Sequence, residues 1–222
     1  MRRIALSCTL VFLVTAPAAA QEWTVYENVR DGFKALFPGP PSVTETTWKS
    51  PTGFALPARV YSIDRGRERY AVTVADYSGI ESMGTERAKG CPPGSETCLG
   101  TPGLSGVGLW KHDTRGAPLY AASEFIKRNV KLTEMYWNQQ DLVSGIVLQL
   151  TSNVDQSRTY AYIAMHEMKL YIAESTVPKG APEPALFVQA IGWLDKDGKG
   201  IRYRMVYQHE IHGLKEAPVP AR

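Results

Sequence analysis

The chain has 222 residues, 44% of them apolar and 21% charged, with 25 basic against 22 acidic side chains. Ordinary apolar content at this length supports a substantial single core, and a near-balanced charge with the signs interspersed excludes the clustered Lys/Arg face that a phosphate backbone requires. The nominal excess of cations also shrinks, because two of them, Arg2 and Arg3, stand in a leader-like segment.

That segment comes first in chain order. Arg2 and Arg3 precede an apolar run from Ile4 to Val14, and Ala18-Ala19-Ala20 precede Gln21, the three regions of a cleavable export signal. The run is about a dozen residues, against the ~20 that a spanning helix needs, so residues 1–20 are expected to be removed without stable membrane insertion. The expected mature chain, 21–222, is one α+β domain in the periplasm. There the two cysteines left, Cys91 and Cys98, are expected to form a disulfide.

The first half of the mature chain predicts strands at 23–28, 33–37, 43–49, 58–63 and 70–77. Asp31-Gly32, Pro38-Gly39-Pro40-Pro41, Ser50-Pro51-Thr52-Gly53 and Asp64-Arg65-Gly66 reverse the chain between them. Residues 79–116 hold nine of the nineteen glycines and both cysteines, and predict an irregular loop. A pairing of Cys91 with Cys98 across six residues would staple it, with about 2–3 kcal/mol of local stabilisation if loop entropy dominates. The spacing excludes a CxxC redox motif. Trp110, beside Lys111 and His112, is the aromatic residue there with a ligand-stacking reading.

Helical periodicity follows over 117–129, with Leu119, Ala122, Phe125 and Ile126 on one side and Pro118 in the first turn. Strands are predicted again at 131–137, 144–151, 159–165 and 170–175, with hairpin turns at 153–157 and Glu167-Met168. A second helix is predicted over 183–194, then a last strand over 201–207. Antiparallel strands interrupted by two helices define an α+β architecture, mainly antiparallel sheet with helices packed on it.

Several motifs invite sharper readings. His209-Glu210-Ile211-His212 has its histidines three apart, where a zinc-protease helix needs four, so it predicts a solvated strand end, with His166 as the further ligand that any zinc site would need. Asp195-Lys196-Asp197-Gly198 puts Trp193 where a calcium loop needs its first acid, and reads as a turn. Leu104-Ser105-Gly106 and Ser144-Gly145 lack the context of a nucleophile elbow. No catalytic residue, metal ligand or cofactor is assigned. Trp48, Tyr61, Tyr77, Trp137, Tyr160, Tyr162 and Tyr171 are expected in the core or on a sheet face.

Two resemblances stand on particular residues. Trp23 to Pro38, with Gly32-Phe33 leading into Phe37-Pro38, resembles the amino-terminal signature of small exported PsbP-like proteins, which implies an α/β/α sandwich fold. Arg158-Thr159-Tyr160, Met165-His166-Glu167, Thr176-Val177-Pro178, Leu186-Phe187 and Gly192-Trp193-Leu194-Asp195-Lys196-Asp197-Gly198 resemble an uncharacterised family of exported alphaproteobacterial proteins. That resemblance implies a periplasmic location and transfers no site residues. The expected role is a monomeric or weakly associating, non-catalytic binding or envelope-associated module, whose partner is an envelope protein or cell-wall component. The alternatives are a hydrolase with a spatially assembled site and a weak divalent-metal binder.

Overall fold

The computed structural model describes residues 23–95 and 109–209. The leader at 1–20, Cys98, Ser105 and the Glu210–His212 part of the histidine motif lie outside them.

In chain order the elements are β1 (Thr24–Asn28), β2 (Phe33–Phe37), β3 (Ser42–Lys49), β4 (Ala55–Arg65), β5 (Glu68–Asp76), α1 (Ile80–Lys89) and α2 (Leu109–Ile126). They continue with β6 (Val130–Gln140), β7 (Val143–Ser152), β8 (Arg158–His166), β9 (Lys169–Val177), α3 (Ala185–Gln189) and β10 (Gly192–Trp193). Seven strands form one antiparallel sheet in the order β3-β4-β5-β9-β8-β7-β6, and a second sheet of three has the order β1-β2-β10. Tight turns set the registers. Gly66, at φ +60°, opens the two-residue turn between β4 and β5. Asp141-Leu142 and Glu167-Met168, all four in the left-handed region, close the β6–β7 and β8–β9 hairpins.

Strict alternation along the strands gives the large sheet two different faces. Along β8, Ala161, Ile163 and Met165 join the core under α1 and α2, whereas Tyr160, Tyr162 and Ala164 join the core under the small sheet and α3. The helix side is mainly aliphatic: Ala117, Ala121 and Ala122 of α2 pack with Ile146, Leu148, Leu150 and Ile163, with Phe54, Tyr77 and Phe125 as its buried rings. The opposite side is aromatic, with Phe33, Phe37, Tyr61, Tyr162, Tyr171, Phe187 and Trp193 meeting mostly edge to face. The molecule is therefore an α+β sandwich: helices, a seven-stranded sheet and then, where an α/β/α sandwich carries its second helix layer, a small sheet with a short helix.

Nine strands lie where their alternation places them; the helices differ. The stretch 79–116 is not loop throughout, because α1 occupies its first part and α2 begins at Leu109. Pro118 therefore lies inside α2 rather than in its first turn, at the cost of one main-chain hydrogen bond. Against that loss stand the burial of Ala117 and Ala121 and the hydrogen bonds that Ser50 and Thr52 give to the buried Asp113. The helix expected over 183–194 is shortened to α3, since Gly192 and Trp193 pair with Lys34 and Phe33 of β2. Residues 201–207 form no strand. They carry an isolated bridge from Tyr207 to Val143, and their rings, not a ladder, anchor them.

Candidate functional site

A buried set of ionisable side chains lies in the seam between the two sheets. It begins at the β1–β2 turn, where the Asn28 carboxamide oxygen accepts the Asp31 N–H at 2.8 Å and the Gly32 N–H bonds the Val29 carbonyl. Gly32 has φ +69°, and a Cβ there would stand 3.2 Å from the Leu194 carbonyl, so the turn that drives Asp31 inward needs glycine. β4 supplies Arg59 and Tyr61, two residues apart and hence on one face. β9 supplies Lys169 and Tyr171 in the same way.

Asp31, with no exposed surface, is the hub. Arg59 grips its carboxylate in a fork, through Nε at 2.6 Å and through the terminal nitrogen, and the Tyr61 hydroxyl donates to it at 2.5 Å. Lys169 Nζ stands 3.9 Å away and donates to the Arg30 carbonyl at 2.8 Å, while the Tyr171 hydroxyl donates to the Asp31 carbonyl at 2.6 Å. Burial works to raise the Asp31 carboxyl, but the Arg59 and Tyr61 hydrogen bonds with the Arg59 and Lys169 charges outweigh it and leave it lowered. Burial and the same carboxylate push the Tyr61 phenol up.

Tyr171 links this hub to His166, the last residue of β8. The His166 ring lies 4.6 Å from Trp193, 5.0 Å from Tyr207 and 5.8 Å from Tyr203 by centroids. Its Nε2 meets the Tyr203 hydroxyl at 2.5 Å, and its Nδ1 has no hydrogen-bond partner among the described residues. Only 1% of His166 is exposed. Burial, with the His209 and Lys169 charges adding to it, pushes its pKa down to about 3, so the ring is neutral at physiological pH. The Trp193 indole donates to the Gln140 carbonyl at 3.1 Å, and the Tyr207 backbone pairs with Leu142 and Ser144, which ties the last described segment to the β6–β7 turn.

A second buried carboxylate joins the β3–β4 turn to the helices. Asp113 of α2 accepts from the Ser50 hydroxyl, from the Thr52 N–H at 3.1 Å and from the Thr52 hydroxyl at 2.7 Å. Arg87 of α1 donates to the Thr52 carbonyl at 2.9 Å, with its guanidinium 3.5 Å from the Phe54 ring centroid.

Chemically, both constellations hold elements together. A general acid or base needs a pKa near the working pH and reach to a substrate proton. Asp31 is held ionised by its partners, and His166 is held neutral with Nε2 engaged by a tyrosine. Neither residue was singled out for this from sequence, except that His166 was named as a further metal ligand. The signal available was Arg59, a cation at an inward position of a strand whose neighbours Ala58 and Tyr61 are core residues, which demands a buried anion.

Of the residues singled out from sequence, Trp110 lies in the first turn of α2, half-buried. A Cβ on Gly84 would stand 2.8 Å from its Cδ1, so its ring lies against α1, with Lys111 Nζ 5.3 Å from the ring centroid. Cys91 follows α1, its N–H bonding the Ala88 carbonyl. His209 Nδ1 stands 3.4 Å from the Tyr207 hydroxyl. No cluster of three metal-ligating side chains occurs among the described residues. Asp195 accepts the N–H groups of Asp197 and Lys199 at 2.9 and 2.8 Å, which makes its motif a turn. Tyr61, Tyr77, Tyr160, Tyr162 and Tyr171 are core residues, whereas Trp137, on the outermost strand, is 66% exposed.

The fold and seam define an α+β sandwich with a closed aromatic and ionic interlayer. No family model matches the chain, and no curated protein matches it. Among solved structures it is similar to the cyanobacterial PsbP protein (CyanoP) of Synechocystis sp. PCC 6803, determined in solution, at 13% identity. The match covers 74% of this chain and 85% of that one, with a TM-score of 0.38. No helix among the described residues is long and apolar enough to cross a membrane.

Proposed function

We propose that this chain is an exported periplasmic protein that acts without catalysis, as a binding module at the cell envelope. Its contact surface is the lobe of α1 and the start of α2, within the stretch from Ile80 to Arg115 that a disulfide between Cys91 and Cys98 would staple. The observation that carries this reading is Trp110. It is half-exposed at the junction of the two helices, beside Lys111, whereas the buried ionisable groups are consumed in the seam and under α2. What supports the location is the leader-like composition of residues 1–20 and the resemblance of the quoted motifs to exported proteins. The hydrolase alternative would need an accessible base beside a nucleophile, a role that the enclosed His166 does not offer and the exposed His112 leaves open to test.

The test is retention of the mature protein on purified cell-wall sacculi and its crosslinking to envelope proteins, for wild type, Trp110→Ala and Cys91→Ser/Cys98→Ser. Specific retention or a specific crosslink lost in both variants, with thermal unfolding still cooperative, is the expected result. Binding unchanged by both variants would move the surface elsewhere, and no binding by wild type would refute the reading.

A further inference from the structure

The two edges of the large sheet differ. β3 exposes one large apolar side chain, Val43, ahead of a polar run, Thr44 to Thr47, whereas β6, the other edge, exposes Leu132, Met135, Tyr136 and Trp137 along an eleven-residue strand. Leu132, Met135 and Trp137 are register partners of Leu150, Leu148 and Ile146, all buried under α2, so they form the uncovered border of the helix-side core. An open, long, apolar edge strand is a template for pairing with another strand.

The free hydrogen-bonding groups of this edge follow from the hairpin. The two-residue turn at Asp141-Leu142 closes on the Gln140–Val143 pair, so Gln140, Asn138 and Tyr136 direct their amides and carbonyls toward β7, while Met135, Trp137 and Gln139 direct theirs outward. The Gln139 N–H is covered by the Asn138 side-chain oxygen at 2.8 Å, and a register irregularity interrupts the strand between Leu132 and Glu134. The open ladder is thus centred on Met135-Tyr136-Trp137.

This segment is complementary to itself. Placed antiparallel to a second copy about a two-fold axis at Tyr136, Met135 opposes the other copy's Trp137 as an outward-facing hydrogen-bonded pair, twice by symmetry. Tyr136 opposes its own copy on the other face. Glu134 opposes Asn138, whose carboxamide nitrogen is a donor for the carboxylate. Sulfur meets aromatic, aromatic meets aromatic and anion meets donor, each a favourable cross-strand pair. We propose that β6 is a homodimerisation edge, through which two copies join their seven-stranded sheets by antiparallel pairing about Tyr136. This surface is separate from the lobe at α1, and its failure would leave the reading of that lobe untouched.

The register makes the test specific. In an antiparallel sheet the opposed Cα atoms of a non-hydrogen-bonded pair are about 4.5 Å apart, inside the roughly 4.4–6.8 Å that a disulfide spans. Two Asn138 residues would be separated by four residue steps, about 14 Å at ~3.4 Å per step. Tyr136→Cys is therefore expected to form a covalent dimer under mild oxidation, mapped by mass spectrometry to the 136–136 pair, and Asn138→Cys is expected to form none at the same rate. Sedimentation of wild type over a concentration series is expected to show reversible dimerisation, with Trp137→Lys raising the dissociation constant by roughly tenfold or more. A monomer at all concentrations, crosslinking that is equal at the two positions, or a dimer unaffected by Trp137→Lys would overturn the proposal.

Discussion

Replacing Asp31 by alanine removes the anion on which the seam is built. The Arg59 side chain, only 10% exposed, would keep its charge with no carboxylate beside it, and Tyr61 would lose the acceptor of its hydroxyl. Breaking a buried pair by deleting one partner costs about 3–5 kcal/mol, and a stranded buried hydroxyl about 1–3 kcal/mol. Because the two losses share one site they add incompletely, and about 4 kcal/mol is expected, a large part of the ~5–15 kcal/mol that holds a domain folded. At roughly 2–4 °C per kcal/mol for a domain of this size, the midpoint falls by about 10 °C. Urea and thermal unfolding of the mature protein read this, with Arg30→Ala as the control, since its ion pair with Glu45 is exposed and 3.6 Å long. The double variant Asp31→Leu/Arg59→Met removes both charges together and is expected to be more stable than Asp31→Ala alone. An Asp31→Ala midpoint no lower than that of the control would refute the claim that this pair is desolvated.

Three further outcomes follow from the same geometry. His166 is protonated in the unfolded chain below about pH 6.5 but in the folded chain only below about 3, so unfolding takes up a proton between those values and stability falls as pH drops through that window. His166→Phe is expected to lose about 2 kcal/mol less than wild type between pH 7.5 and 5, by urea unfolding at both pH values. Asp31 has the usual carboxylate sign: its lowered pKa contributes stability above the unfolded value and surrenders it as pH falls through the folded one, so Asp31→Asn flattens the acid limb at lower pH than His166→Phe does. Gly145→Ala places a Cβ 2.5 Å from the Tyr162 ring and 2.6 Å from the Ile163 carbonyl, and overpacking of that kind costs about 1–3 kcal/mol by chemical denaturation.

The strands were legible because a sheet with both faces buried still alternates in chemistry. In β8 the aromatic Tyr160 and Tyr162 go one way and Ala161 and Ile163 the other. The hairpin at Glu167-Met168 was legible for a related reason: the apolar runs on its two sides leave two residues to turn. What failed was local punctuation read without its tertiary partners. Gly116 and Pro118 look like the start of a helix, yet Asp113, held by Ser50 and Thr52 some sixty residues earlier, fixes α2 well before them. Ile201 to Tyr207 has the composition of a strand, and its tyrosines instead fill the pocket around His166. The seam itself was half legible. Asp31-Gly32 was readable as a turn, but its partner Arg59 is distant in sequence, and no spacing rule joins the two.

The exposed border at β6 follows from dimensions. An eighteen-residue α2 is about 27 Å long and some 10 Å wide, while seven strands at ~4.8 Å span about 29 Å and β6 alone runs about 37 Å. With α1 beside it, α2 laid from its anchor at Asp113 still leaves the outer face of the last strand bare, and Val130, at the start of β6, is the apolar residue of that strand packed on the helix-side core. The opposite edge, apart from Val43, has met the same exposure with threonines and a glutamate. If Met135-Tyr136-Trp137 were merely surface residues tolerated by a monomer, replacing them with Thr-Glu-Thr would leave every solution property unchanged. The reasoning from self-complementarity expects something narrower: unfolding of the dilute monomer close to that of wild type, association abolished, and a concentration-dependent melting temperature present only in the native sequence. A wild-type melting temperature that does not move with concentration would show that the apolar edge, however open, is left unpaired.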